Sequence, residues 1–213
     1  MNSLSPVKLG ATWSYLNKGG PVNEVGFRTT ITSVRPAGFT VTTRFDDQVQ
    51  VDQQWACKPE GLVALSLGAG QTALDLTLEG INAQLDTSNA RGVTIPAQVQ
   101  TGMKWPYGLD IAGTLSQADQ SAKVNGALDA TMEAIAAEKV TVPAGTFQAM
   151  RIQTTSNVKL SANYLGLNIP ITSVVNTTFW FAPGVGWIKA EQTGDLAGTT
   201  LDSTTELQSY SIP

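Results

Sequence analysis

The side chains that could act on a substrate are few and scattered. The chain has no histidine, which removes the usual neutral-pH base, the Ser/His/Asp and Cys/His nucleophile arrangements, and nearly every zinc, copper or haem site. Four groupings are left. Gly68-Ala69-Gly70-Gln71-Thr72-Ala73 fits the phosphate-cradling G-x-G-x-x-A turn. That motif needs a helix N-terminus next, whereas Leu74, Leu76 and Leu78 alternate with Asp75, Thr77 and Glu79 as a strand does, so we read a plain turn. Ser156-Asn157-Val158-Lys159 fits S-x-x-K, but the S-D-N and K-T-G partners of that chemistry are missing; two exposed strand residues are the simpler reading. Asp46, Asp47 and Asp52 are close carboxylates without the converging oxygens and sharp glycine turn that calcium requires, which makes them a solvated hairpin end. Cys57, the single cysteine, follows Trp55 and precedes Lys58; we expect a small buried residue beside the indole rather than an activated thiol. Two distant carboxylates would suffice for a glycosidase, but nothing nominates a pair. The sequence carries no recognisable catalytic, cofactor-binding or metal-ligating motif, and it reads as a non-enzymatic protein with no cofactor and no metal.

Charge narrows the partners. Thirteen Lys and Arg stand against seventeen Asp and Glu, a net charge of −4, and the basic residues occur singly from Lys8 to Lys189. Nucleic acid and anionic membrane surfaces both need clustered positive charge, so neither is expected as a partner. No run approaches the length of apolar sequence that crosses a bilayer as a helix. The opening Met1-Asn2-Ser3-Leu4-Ser5-Pro6 is short and polar, and reads equally as a cytoplasmic start or as the boundary left by a removed export signal. One cysteine among many Thr, Gln, Ser and Gly residues points to an extracytoplasmic location, periplasm or cell surface, with the export signal or lipid anchor not present in this chain.

The elements that would position any site are strands. Threonine, valine, isoleucine and the aromatics make up 68 of 213 residues, a β-rich composition. Over 24–34, Val25, Phe27, Thr29 and Ile31 share one face and Arg28 and Thr30 the other; Pro36-Ala37-Gly38 then turns the chain into the alternating 39–45. Residues 48–55, 62–67, 146–158, 171–181, 186–192 and 204–209 are also strand-like, and short connections predict antiparallel pairing. Residues 123–142 are ambiguous: Val124, Leu128, Met132 and Ile135 lie at helical spacing, while Val124, Leu128, Ala130, Met132 and Ala134 lie at period two. A weak duplication aligns Gly10-x-x-Trp13-x-Tyr15 with Gly102-x-x-Trp105-x-Tyr107, and Trp55 with Gly61 against Trp180 with Gly186. We therefore expect one β domain over 1–213, built of two related meanders at about 9–100 and 101–213. Its threonines should face outward.

The most specific string is Val140-Thr141-Val142-Pro143-Ala144-Gly145-Thr146-Phe147, followed later by Trp180-Phe181-Ala182-Pro183-Gly184-Val185-Gly186-Trp187-Ile188-Lys189. With the G-x-x-W-x-Y opening, it resembles a family of bacterial envelope and lipoprotein-type β proteins. The resemblance implies strands over 123–142 and a layout like the extracytoplasmic half-barrels that carry lipid or lipoprotein. This chain lacks the lipidation cysteine of such lipoproteins.

Tyr164-Leu165-Gly166-Leu167-Asn168-Ile169-Pro170-Ile171 combines turn residues with large apolar ones, where hairpin tips are usually polar. Either it folds over the domain's own core, or it borders an apolar cavity or meets a lipid or partner surface. The expected fold is mainly β: a strongly curved antiparallel sheet or open barrel with little helix. A curved sheet needs something apolar on its concave face, and no long amphipathic helix is present to supply it. The expected function is to bind a hydrophobic ligand, lipid or lipidated partner there, with Trp13, Phe27, Trp105, Phe147, Leu165, Leu167, Trp180 and Trp187 as lining residues, each of which can equally serve as core. The alternative is a structural or adhesive envelope subunit that packs against other proteins.

Overall fold

The computed structural model describes residues 2–20, 24–45, 49–67, 81–117, 120–196, 199–200 and 202–213. Gly68–Ala73, the leucines at 74, 76 and 78, and Asp46 and Asp47 lie outside the described residues. Among those described there is no helix, and none long and apolar enough to cross a membrane.

Among the described residues, alternating apolar and polar residues joined by tight turns give fourteen strands: β1 (Thr12–Gly19), β2 (Glu24–Arg35), β3 (Gly38–Phe45), β4 (Gln50–Lys58), β5 (Gly61–Ala64), β6 (Ile81–Gly92), β7 (Ile95–Pro96), β8 (Lys104–Gln117), β9 (Gln120–Val142), β10 (Gly145–Tyr164), β11 (Leu167–Ala182), β12 (Gly186–Leu196), β13 (Thr199–Thr200) and β14 (Ser203–Ser211). They form one sheet in the order β6-β8-β9-β10-β11-β12-β14-β1-β2-β3-β4-β5-β7, with β13 beside β12. Every pairing is antiparallel, and β14 joins the two ends of the chain by pairing with β1.

The sheet curls into a half-barrel whose outermost strands are tied together at one end. Between β6 and β7 the chain bridges both: Val93 N donates to Pro106 O of β8 at 3.3 Å and Thr94 N to Leu62 O of β5 at 3.0 Å, while Ala64 N donates to Thr94 Oγ1 at 2.9 Å. The Pro106 and Leu62 carbonyls and the Ala64 amide are thereby occupied at this end. The N-terminal segment runs across this same end. Asn2 Nδ2 donates to Pro96 O at 2.8 Å, and Gly184 N in the β11–β12 turn donates to Ser3 O at 2.8 Å, with Leu4 buried between.

Residues 123–142 are strand, and the source of their helical spacing is visible. Ile152 pairs with Ala134 and Arg151 with Ala136, so Ile135 is the extra residue of a β-bulge. Period two already sets Ile135 out of phase with Val124, Leu128, Ala130 and Met132, and the bulge shifts the alternation beyond it.

Candidate functional site

Strand direction fixes two ends. The turns at 36–37, 59–60, 143–144 and 183–185 and the N-terminal segment lie at the tied end; the β10–β11 turn, Leu165-Gly166, lies at the far end. Inside the curl is a cavity of about 320 Å³, at the lower bound of small-molecule sites.

Its walls come from almost the whole sheet: Trp13 and Tyr15 of β1, Phe27 of β2, Phe39 of β3, Trp55 of β4, Trp105 and Tyr107 of β8, Phe179 and Phe181 of β11, and Trp187 of β12. Tyr15 lies parallel to Trp187 with ring centres 3.9 Å apart, and Phe39 stacks on Trp55 at 5.7 Å. Such pairs add about 0.5–1.5 kcal/mol beyond their burial. The polar atoms of four of these rings are turned onto the protein. Trp13 Nε1 donates to Val185 O at 2.7 Å, Trp55 Nε1 to Gln53 Oε1 at 3.0 Å, Tyr15 Oη to Trp187 O at 2.9 Å and Tyr107 Oη to Ala64 O at 2.8 Å. Burial raises both phenols, Tyr107 to about 12 and Tyr15 well above the ordinary value. The faces left to the cavity are therefore apolar.

Along the strands the lining changes character. From the tied end outward, β3 presents Phe39, Val41 and Thr43; β10 presents Ile152, Thr154 and Ser156; β11 presents Phe181, Phe179 and Thr177; β12 presents Trp187, Ala190 and Gln192. With Ser203 and Thr205 of β14, hydroxyls and an amide form a belt above an aromatic floor. Thr154 is 8% exposed, and its hydroxyl has no hydrogen-bond partner. The threonines thus do not all face outward as expected: a curled sheet needs polar groups where its interior meets water, and here threonine supplies them.

Four of the eight nominated residues, Trp13, Phe27, Trp105 and Trp187, line the cavity. The other four lie elsewhere. Trp180 alternates with Phe179 and Phe181 and so occupies the opposite face, where its Nε1 donates to Glu138 Oε1 at 2.6 Å and Lys189 Nζ sits 5.1 Å above the ring. Phe147 packs against Tyr210. Leu165 and Leu167 stand at the β10–β11 tip, 84% and 68% exposed, with Ile169 at 48%; the tip does not fold over the core. Sequence reasoning missed Tyr15, Phe39, Trp55, Tyr107, Phe179 and Phe181, although the alternation Thr177, Phe179, Phe181 marks that face.

Cys57 is exposed, contrary to expectation: it lies two residues beyond Trp55 near the end of β4, beside the turn to β5. Ser156 lines the cavity while the exposed Lys159 points to the opposite face, so the two cannot act together. Asp52 accepts from Thr42 Oγ1 at 2.6 Å. Among the described residues no group of three His, Cys, Asp or Glu could hold a metal.

The sequence model of the DUF3108-like family matches residues 76–207, more than half of the chain, and the chain belongs to that family. No curated protein sequence matches it. The structure of a protein described as exported, with a YmcC-like fold, from Bacteroides fragilis NCTC 9343 has a TM-score of 0.62 at 14% identity over 100% of both chains. One described as a lipoprotein, from Parabacteroides distasonis ATCC 8503, has a TM-score of 0.51 at 15% identity over 99% of both. At these identities the likeness is one of fold.

Proposed function

We propose that this member of the DUF3108-like family is a non-enzymatic extracytoplasmic protein that holds a hydrophobic ligand, a lipid or the acyl chain of a lipidated partner, inside its half-barrel. The observation that carries the reading is the cavity itself: aromatic side chains from both halves of the chain converge on space that the protein's own side chains leave empty. A cavity wall loses the dispersion contacts a filled core would have, which an apolar occupant restores. The location follows the descriptions of the fold's relatives as exported or as lipoprotein.

A neutral fluorescent hydrophobe, N-phenyl-1-naphthylamine, tests this. The protein should bind it saturably at one site, and Ala130→Phe and Ala190→Phe, which fill the cavity from β9 and β12, should each abolish that binding while the far-ultraviolet circular dichroism stays that of a β protein. Probe binding that ignores both substitutions would refute the reading. A second reading, a structural or adhesive subunit, is favoured by the exposed Leu165, Leu167 and Ile169; it requires concentration-dependent assembly in size-exclusion chromatography that Leu165→Ser with Leu167→Ser removes.

A further inference from the structure

We infer that the part of the ligand enclosed by the cavity is uncharged, and that the site is built for a neutral acyl amphiphile, such as a glycerol ester, inserted tail first toward the tryptophans. This rests on the cavity being a binding site, as proposed above.

Charge carries the inference furthest. All thirteen Lys and Arg of the chain are among the described residues, and none lines the cavity. Lys189 and Arg151, on strands that do contribute to the wall, are on the other face with Trp180 and Glu138. A carboxylate or phosphate drawn into the cavity would lose its water and find no cation in return, a situation proteins avoid by pairing or neutralising the group. Nor does any Asp or Glu among the described residues line the wall. The interior therefore selects against an anionic head without being able to attract a cationic one.

The sorting of the wall says which way the amphiphile lies. Four strands, β3, β10, β11 and β12, run from aromatic or branched apolar side chains at the tied end to Thr, Ser or Gln farther out, while β8 and β9 stay apolar as far as Leu109 and Leu128. An acyl chain matches the floor. Ester carbonyls and hydroxyls match the belt, because they donate and accept as neutral groups. Within the belt the partnerless hydroxyl of Thr154 is the kind of buried polar group that native proteins rarely leave unsatisfied, and a ligand carbonyl or hydroxyl at that depth would meet it.

The test compares monopalmitoylglycerol, palmitate and a palmitoylated peptide, each below its micellar concentration, read by quenching of the protein's own tryptophans, four of which line the cavity. The expected result at neutral pH is saturable quenching by the glycerol ester, with palmitate weaker by at least about tenfold, and with palmitate recovering as the pH falls and its carboxylate is neutralised. The palmitoylated peptide separates a free lipid from a chain borne by a protein: it should bind like the ester only if the far end admits a tethered chain. Palmitate binding as tightly as the ester at neutral pH would overturn the charge inference and leave the cavity reading standing. No quenching by any of the three, in protein that also fails to bind N-phenyl-1-naphthylamine, would overturn both.

Discussion

At the scale of single residues, the two buried phenols and one threonine define what the interior tolerates. Tyr107 is held neutral by burial, its pKa raised to about 12. A folded-state value above the unfolded one means that the stabilisation is complete below the ordinary tyrosine range and is lost as the pH rises through the folded value. Stability should therefore decline between about pH 10 and 12. Tyr107→Phe should make that alkaline decline shallower, leaving the share that Tyr15 contributes, and at neutral pH should cost about 1–2 kcal/mol, because the Ala64 carbonyl loses its donor; denaturant titrations across pH measure both. Thr154 predicts the opposite sign. Thr154→Val removes a buried hydroxyl without a partner and keeps the shape, so it should raise the midpoint of thermal unfolding by a few degrees, about 2–4 °C per kcal/mol for a chain of this size. A variant more stable than the parent but weaker for the glycerol ester would mark Thr154 as a residue kept for binding. A lowered midpoint would show that its hydroxyl is satisfied in the folded protein.

At the scale of elements, the β10–β11 hairpin stands out. Tyr164 pairs with Leu167, leaving the two-residue turn Leu165-Gly166, with φ of +50° and +81°. A turn with both central residues at positive φ favours Asn, Asp or Gly, and a leucine there is strained. It is also the most exposed large apolar side chain among the described residues. Leu165→Asn should accordingly stabilise the protein, by about 1 kcal/mol in chemical denaturation; an unchanged or lower stability would mean the tip is supported in a way its exposure conceals. Much of the element level was legible in the sequence. Phe27, Thr29 and Ile31 share a face as their alternation predicts, and Phe39, Val41 and Thr43 follow the same rule. Residues 123–142 resisted because a single bulged residue, Ile135, breaks the period. Trp180 left the wall for the same kind of reason: period two puts Phe179 and Phe181 on the cavity face and the indole on the opposite one, buried beside Glu138 and Lys189. The pairing of β1 with β14, and the bridge at Val93 and Thr94 between β8 and β5, join segments far apart in the chain. No local pattern encodes them.

At the scale of the whole molecule, the absence of histidine and the low charge belong to the same design as the cavity. A wall that holds none of the cations, on which Trp13, Tyr15, Trp55 and Tyr107 turn their polar atoms onto backbone carbonyls or a neighbouring amide, and on which β3, β10, β11 and β14 carry threonine or serine farther out, has the chemistry that the proposed function requires. Closure at one end by the N-terminal segment through Asn2 and Ser3 leaves the far end as the route of entry in the proposed function. The most direct test is native mass spectrometry of the protein as purified from cells, followed by organic extraction. The account predicts one bound species of lipid size per chain, retained on gentle ionisation, released into the organic phase and carrying a neutral acyl ester. Protein that flies at its bare mass under the gentlest conditions and yields no lipid on extraction would contradict it.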